Sequence, residues 1–98
     1  MQSIKTAKPG NYESFRNSSF WSAYDALPAR IRKTADKNYE LLKKDPKHAS
    51  LNFKQIGRLW SVRAGIRYRA LAVEVADGLL WFWIGSHADY DKLIAELS

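Results

Sequence analysis

The chain of 98 residues and 11.3 kDa forms one domain, residues 1–98, with no room for a cofactor domain beside a substrate domain. A hydrophobic fraction of 46% predicts a folded globule, and the absence of cysteine excludes a disulfide scaffold, a thiolate zinc site and a Cys nucleophile. The net charge is +6, and the longest apolar run, residues 79–84, falls far short of the ~20 residues that span a bilayer.

Residues 1–14 are polar and weakly patterned, an arm or a short strand, with Pro9-Gly10 as a turn signal. Residues 1–5 lack the apolar stretch of a secretory leader, so a cytoplasmic protein without membrane contact is expected. Ser18 and Ser19 are candidate N-caps for a short helix whose Phe20, Tyr24 and Leu27 share one face, with Trp21 beside them. Pro28 suits the first turn of a second helix. Its inward stripe is Ile31, Ala35, Asn38/Tyr39 and Leu42, and Arg30, Arg32, Lys33, Lys37, Lys43 and Lys44 crowd the rest. Pro46 ends it, because the residue before a proline is pushed out of the α region. The two form a helical hairpin.

From Leu51 the period becomes two, predicting strands over 51–56, 59–64, 66–76 and 79–84, with Asp77-Gly78 as a strong hairpin signal. The last run is apolar on both faces, as in a strand covered on both sides. Ser86 then caps a final helix, answered by Asp89, with Tyr90, Leu93, Ile94 and Leu97 on its buried face. The expected class is α+β: a helical hairpin packed on a small antiparallel sheet, followed by a C-terminal helix.

The charge is unevenly spread. Residues 28–69 carry twelve basic against three acidic groups, a balance of +9, whereas residues 70–98 carry one against five, a balance of −4. Between Asp45 and Glu74 there is no acid, while Lys47, Lys54, Arg58, Arg63, Arg67 and Arg69 fall there. Such clustering favours a polyanion, because Lys and Arg gain affinity by releasing condensed counterions; an acidic protein would use the same patch. His48, His87 and the carboxylates lack metal-type spacing, and no metal is expected.

Arg67 and Arg69 would project from one sheet face together with Leu71 and Val73, and Tyr68, Ala70 and Ala72 from the other. Gly65 leaves the phase of Arg63 open. Arginines there suit bidentate binding of phosphate, or else form salt bridges to Glu74 or Asp89 or lie solvated on the surface. His87, at a strand-to-helix junction, is suited to proton transfer near neutrality, or else belongs to the helix cap; His48, in the 46–50 loop, reads as structural.

The series Phe20-Trp21…Ala26-Leu27-Pro28, Asp45-Pro46…Leu51-Asn52-Phe53-Lys54, Leu59-Trp60-Ser61-Val62-Arg63, Tyr68-Arg69-Ala70-Leu71 and Trp81-Phe82-Trp83-Ile84-Gly85-Ser86-His87…Asp91 runs over roughly residues 19–97. It resembles RelE/ParE-superfamily toxins of bacterial type II toxin–antitoxin systems. The resemblance implies a RelE/ParE-like fold and a ribosome-dependent mRNA endonuclease that uses the 2′-hydroxyl to attack the adjacent phosphate. Carried over by position, His87 in the Gly-x-His motif transfers protons, and Arg63 and Arg69 stabilise the phosphate. Lys54, Arg58 and Arg67 bind nucleic acid, with Tyr90 and His48 as accessory candidates. The implied partners are a cognate antitoxin, together with mRNA and the ribosome; Trp21, Trp60 and Trp81 are candidate anchors for the antitoxin or else belong to the core. No cofactor is implied, and the toxin alone is a monomer or weak dimer. Other branches poison DNA gyrase without nuclease chemistry, or bind antitoxin without being toxic.

Overall fold

The computed structural model describes residues 13–97. In chain order these form β1 (Glu13–Arg16), α1 (Ser18–Asp25), α2 (Ala29–Lys44), a 3₁₀ turn (Ala49–Leu51), β2 (Lys54–Ile56), β3 (Leu59–Gly65), β4 (Tyr68–Val75), β5 (Gly78–Ser86) and α3 (His87–Leu97). The sheet order is β1-β5-β4-β3-β2. Strands β2 to β5 make the expected antiparallel meander, but β1 joins β5 in parallel, so the sheet is mixed. Most of the expected N-terminal arm lies outside the described residues. No helix among the described residues is long and apolar enough to cross a membrane.

The cap of α1 is Asn17, not Ser18 or Ser19. Its backbone is extended and its Oδ1 accepts the Phe20 N–H at 2.9 Å. Ser19 instead ties the helix to the sheet, its hydroxyl 2.7 Å from the Phe82 carbonyl. Pro28 stands just before α2, which ends at Lys44, one residue short of Asp45-Pro46. The two helices bury Phe20, Leu27, Ala35 and Leu42 against Val62, Ala64, Ala70, Ala72, Trp81 and Ile84 of the sheet. Trp81 is 1% exposed, which removes it as an antitoxin anchor; Trp21, 38% exposed, stays available.

Tyr24 joins the helices through its hydroxyl, which donates to the Asp36 carboxylate 2.8 Å away. Burial, and then the hydrogen bond to Asp36, raise its pKa above the ordinary 10.0. A group whose pKa is raised on folding contributes stability that is complete below about pH 10 and is lost as the pH climbs through the folded-state value. Urea titrations from pH 8 to 11 should therefore show a downward slope at the alkaline end that Tyr24→Phe reduces; an equal slope in the variant contradicts this coupling.

Two irregularities decide which side chains share a face. The β4–β5 register passes from Leu71↔Trp83 to Ala72↔Trp81, leaving Phe82 as an extra residue. Trp81 and Ile84, three residues apart, therefore both enter the core. The β3–β4 register likewise steps over Ala64. The expected strand over 51–56 is only Lys54–Ile56: Leu51 is buried in the 3₁₀ turn and Asn52 adopts a left-handed φ of 44°. At the C-terminus α3 buries Tyr90 and half-buries Leu93 and Ile94, but Leu97 is 54% exposed.

Candidate functional site

The sheet has one face under α1 and α2, and the candidate site lies on the other. Directly opposed residues of an antiparallel pair project to the same face. Arg63 pairs with Arg69, so the two arginines stand side by side on it, resolving the phase that Gly65 obscures. Ser61, Leu71, Trp83 and Gly85 share this face by register, and Lys54, paired with Ser61, extends it to β2.

Like charges directly opposed across a ladder repel. Neither arginine forms an ion pair among the described residues, so the alternative of salt bridges to Glu74 or Asp89 is not realised; Arg63 is exposed to solvent, whereas Arg69 is not. Arg69 is 7% exposed, and its Nη1 is buried without a hydrogen-bond partner. Ser61 Oγ, on the same face, is also buried and unpartnered. Above Arg69 lies the Tyr90 ring, its centroid 5.5 Å from the guanidinium carbon. A buried cation with an unsatisfied donor beside a second cation costs free energy, and an arriving anion offsets that cost.

His87 opens α3 next to this face. Ser86 Oγ accepts the Asp89 N–H at 3.1 Å, as a serine cap should, and the His87 N–H donates to the Arg67 carbonyl at 2.7 Å. The imidazole is not consumed by the cap. Its Nδ1 lies 3.3 Å from Asp91 Oδ2, with both side chains about half exposed, and its ring is 5.5 Å from that of Tyr90. Asp91 as the histidine's partner was missed in the sequence, although the i, i+4 spacing signals it.

Arg67 departs from expectation: it sits in the β3–β4 turn, not on the strand beside Arg69. It lines a cleft of about 840 Å³ with His87, Tyr68, Ile66 and, from α2, Arg30 and Thr34. Arg30 adds a second cation to this cleft, on the α2 side and away from the face of Arg63 and Arg69. Arg58 lies in the β2–β3 turn beside Val73 and Glu74, at the far end of β4 from Arg69. His48 caps the 3₁₀ turn, its Nδ1 2.8 Å from Ser50 Oγ, and no described contact joins it to Arg69 or His87. The structure thus gathers Lys54, Arg63, Arg69, Tyr90 and His87, with Arg67 around the corner, and leaves Arg58 and His48 apart. Among the described residues no group of three or more His, Asp or Glu is placed to hold a metal ion.

No protein-family model and no curated protein matches the sequence. Solved structures do. The chain is similar to RelE in the RelB–RelE antitoxin–toxin complex of Methanococcus jannaschii, with a TM-score of 0.63 and 14% identity over 81% of this chain and 96% of that one. It is similar to the archaeal RelE–RelB complex from Pyrococcus horikoshii, with a TM-score of 0.59 and 14% identity over 79% and 96%. The isolated RelE toxin of E. coli aligns with a TM-score of 0.56 and 10% identity over 89% and 99%. At such identities the likeness is one of architecture, and the chain has the fold of the RelE toxins.

Proposed function

We propose that this chain is the toxin of a type II toxin–antitoxin pair and cuts mRNA on the ribosome. The observation that carries the reading is Arg69: a buried guanidinium with an unpaired Nη1, opposed in register to Arg63 and left without a carboxylate. Such a pair offers a phosphate whose charge grows in the transition state one guanidinium held in place under Tyr90, Arg69, and one exposed to solvent, Arg63.

In the proposed reaction the RNA 2′-oxygen bonds to the adjacent phosphorus and the P–O5′ bond breaks. One proton leaves the 2′-hydroxyl and another reaches O5′, giving a 2′,3′-cyclic phosphate and a 5′-hydroxyl. The Asp91 carboxylate at Nδ1 of His87 favours the tautomer with its proton on Nδ1. Nε2 is then the acceptor for the 2′-hydroxyl proton, which makes His87 the base. Tyr90 is the phenol beside it for the second transfer. Lys54 and Arg67 hold the RNA backbone on either side. The antitoxin reading rests on the same fold, since two of the similar structures are complexes with RelB.

Inducing the protein in bacteria should arrest growth and create codon-phased mRNA 5′ ends, which His87→Ala lowers by about 10²-fold, as loss of a general base does. Growth arrest without new mRNA ends would overturn the nuclease reading.

A further inference from the structure

On the face that carries Arg63 and Arg69, one large side chain has no part in the reaction described so far. Trp83 is opposed to Leu71 and lies two residues before Gly85, which is itself opposed to Arg69. Its six-membered ring folds down over Gly85: a Cβ placed on that glycine would stand 2.5 Å from Trp83 Cζ2 and 2.9 Å from Cη2. Any other residue at position 85 would push the indole away. Gly85 is thus what lets the indole close onto the strand, next to the cross-strand position of Arg69.

The indole is not absorbed by the fold. Phe20, Trp21, Tyr24, Phe53, Trp60, Trp81 and Tyr90 all take part in ring contacts, whereas Trp83 enters none among the described residues. It lies outside the hydrophobic core under the helices and stays partly exposed. Its Nε1 makes no hydrogen bond among the described residues and, unlike that of Trp81, is not sealed from solvent.

We propose that Trp83 is the stacking platform for a base of single-stranded RNA adjoining the phosphate held by Arg63 and Arg69. This rests on the nuclease reading and adds what that reading lacks, a surface for the base. Every base offers a π-face, so a flat indole holds the nucleotide with tolerance of sequence, and purines, with the larger face, are favoured. Arginine pair and indole then act together: the cations fix the phosphate, and the ring fixes the sugar's rotation about it, which brings the 2′-oxygen into line.

The test compares wild-type protein with Trp83→Phe and Trp83→Leu by mapping mRNA 5′ ends after equal induction, with the thermal midpoint of each purified protein as control. Leucine keeps an apolar side chain but no π-face. Trp83→Leu should cut about tenfold less, as expected for a lost base–aromatic stack, and lose its purine bias at the cut, while Trp83→Phe stays within about twofold of wild type. Wild-type cutting matched in rate and base bias by Trp83→Leu would overturn the platform and leave the nuclease reading standing. No cutting by wild type would overturn the nuclease reading itself.

Discussion

Arg69→Met is expected to abolish RNA cutting and leave the protein at least as stable as its parent. The activity loss follows from the removal of a preorganised donor to developing phosphate charge, an effect of about 10²–10³-fold. Arg69→Lys should not rescue it, because an ammonium cannot present two parallel N–H groups to a phosphate. The stability result is the more diagnostic half. Arg69 is only 7% exposed, has an unpaired Nη1, and is opposed in register to Arg63. Replacing such a group with an apolar side chain of similar length removes repulsion and desolvation while keeping the packing under Tyr90. A gain of about 1 kcal/mol would raise Tm by roughly 4–8 °C in a domain of this size. A fall in Tm of that amount would instead mark Arg69 as a structural residue.

The second large effect concerns stability alone. Gly78→Ala should lower Tm by several degrees to well over ten, following a loss of about 1–3 kcal/mol from overpacking. Gly78 has a φ of 157° and is paired with Glu13 of β1. A Cβ there would collide with the Glu13 backbone, which cannot rotate away as a side chain would. Strand β1 sits at the sheet edge with β5 as its one strand neighbour, and outside that ladder the Tyr39 hydroxyl bound to the Ser14 carbonyl and Arg16 over the Tyr39 and Trp21 rings help to hold it. The control is Gly57→Ala, where φ is 59° but no atom lies within 4 Å of the new Cβ. It should cost about 1–2 kcal/mol, the left-handed penalty alone. Equal midpoints for wild type and Gly78→Ala in thermal melts would contradict the close approach of β1.

Local rules made most of the elements legible. The stripe through Ala35 and Leu42, the stop before Pro46, the Asp77-Gly78 hairpin and the Ser86 cap each depend on neighbours within a few residues, and each appears in the structure. What escaped depends on partners distant in sequence. The parallel pairing of β1 is decided by β5, more than sixty residues on, and four residues carry no signal of it. The extra residue at Phe82 is invisible in a run that is apolar on both faces, and that at Ala64 hid the alignment of Arg63 with Arg69. At the site, residue types were readable because arginine, histidine and their spacing are chemical statements. The burial of Arg69 and the orientation of Trp83 over Gly85 were not, since both arise only when the strands are laid side by side.

The central claim is that this arginine-bearing face, with His87, turns an RNA 2′-hydroxyl on its own neighbouring phosphate. The chemistry of the cut ends tests it most directly. RNA recovered after induction should carry 2′,3′-cyclic phosphates upstream of each cut and 5′-hydroxyls downstream, and Arg69→Met should yield neither. Ends bearing 3′-hydroxyl and 5′-phosphate would mean that water, not the 2′-oxygen, is the nucleophile, and would contradict the account.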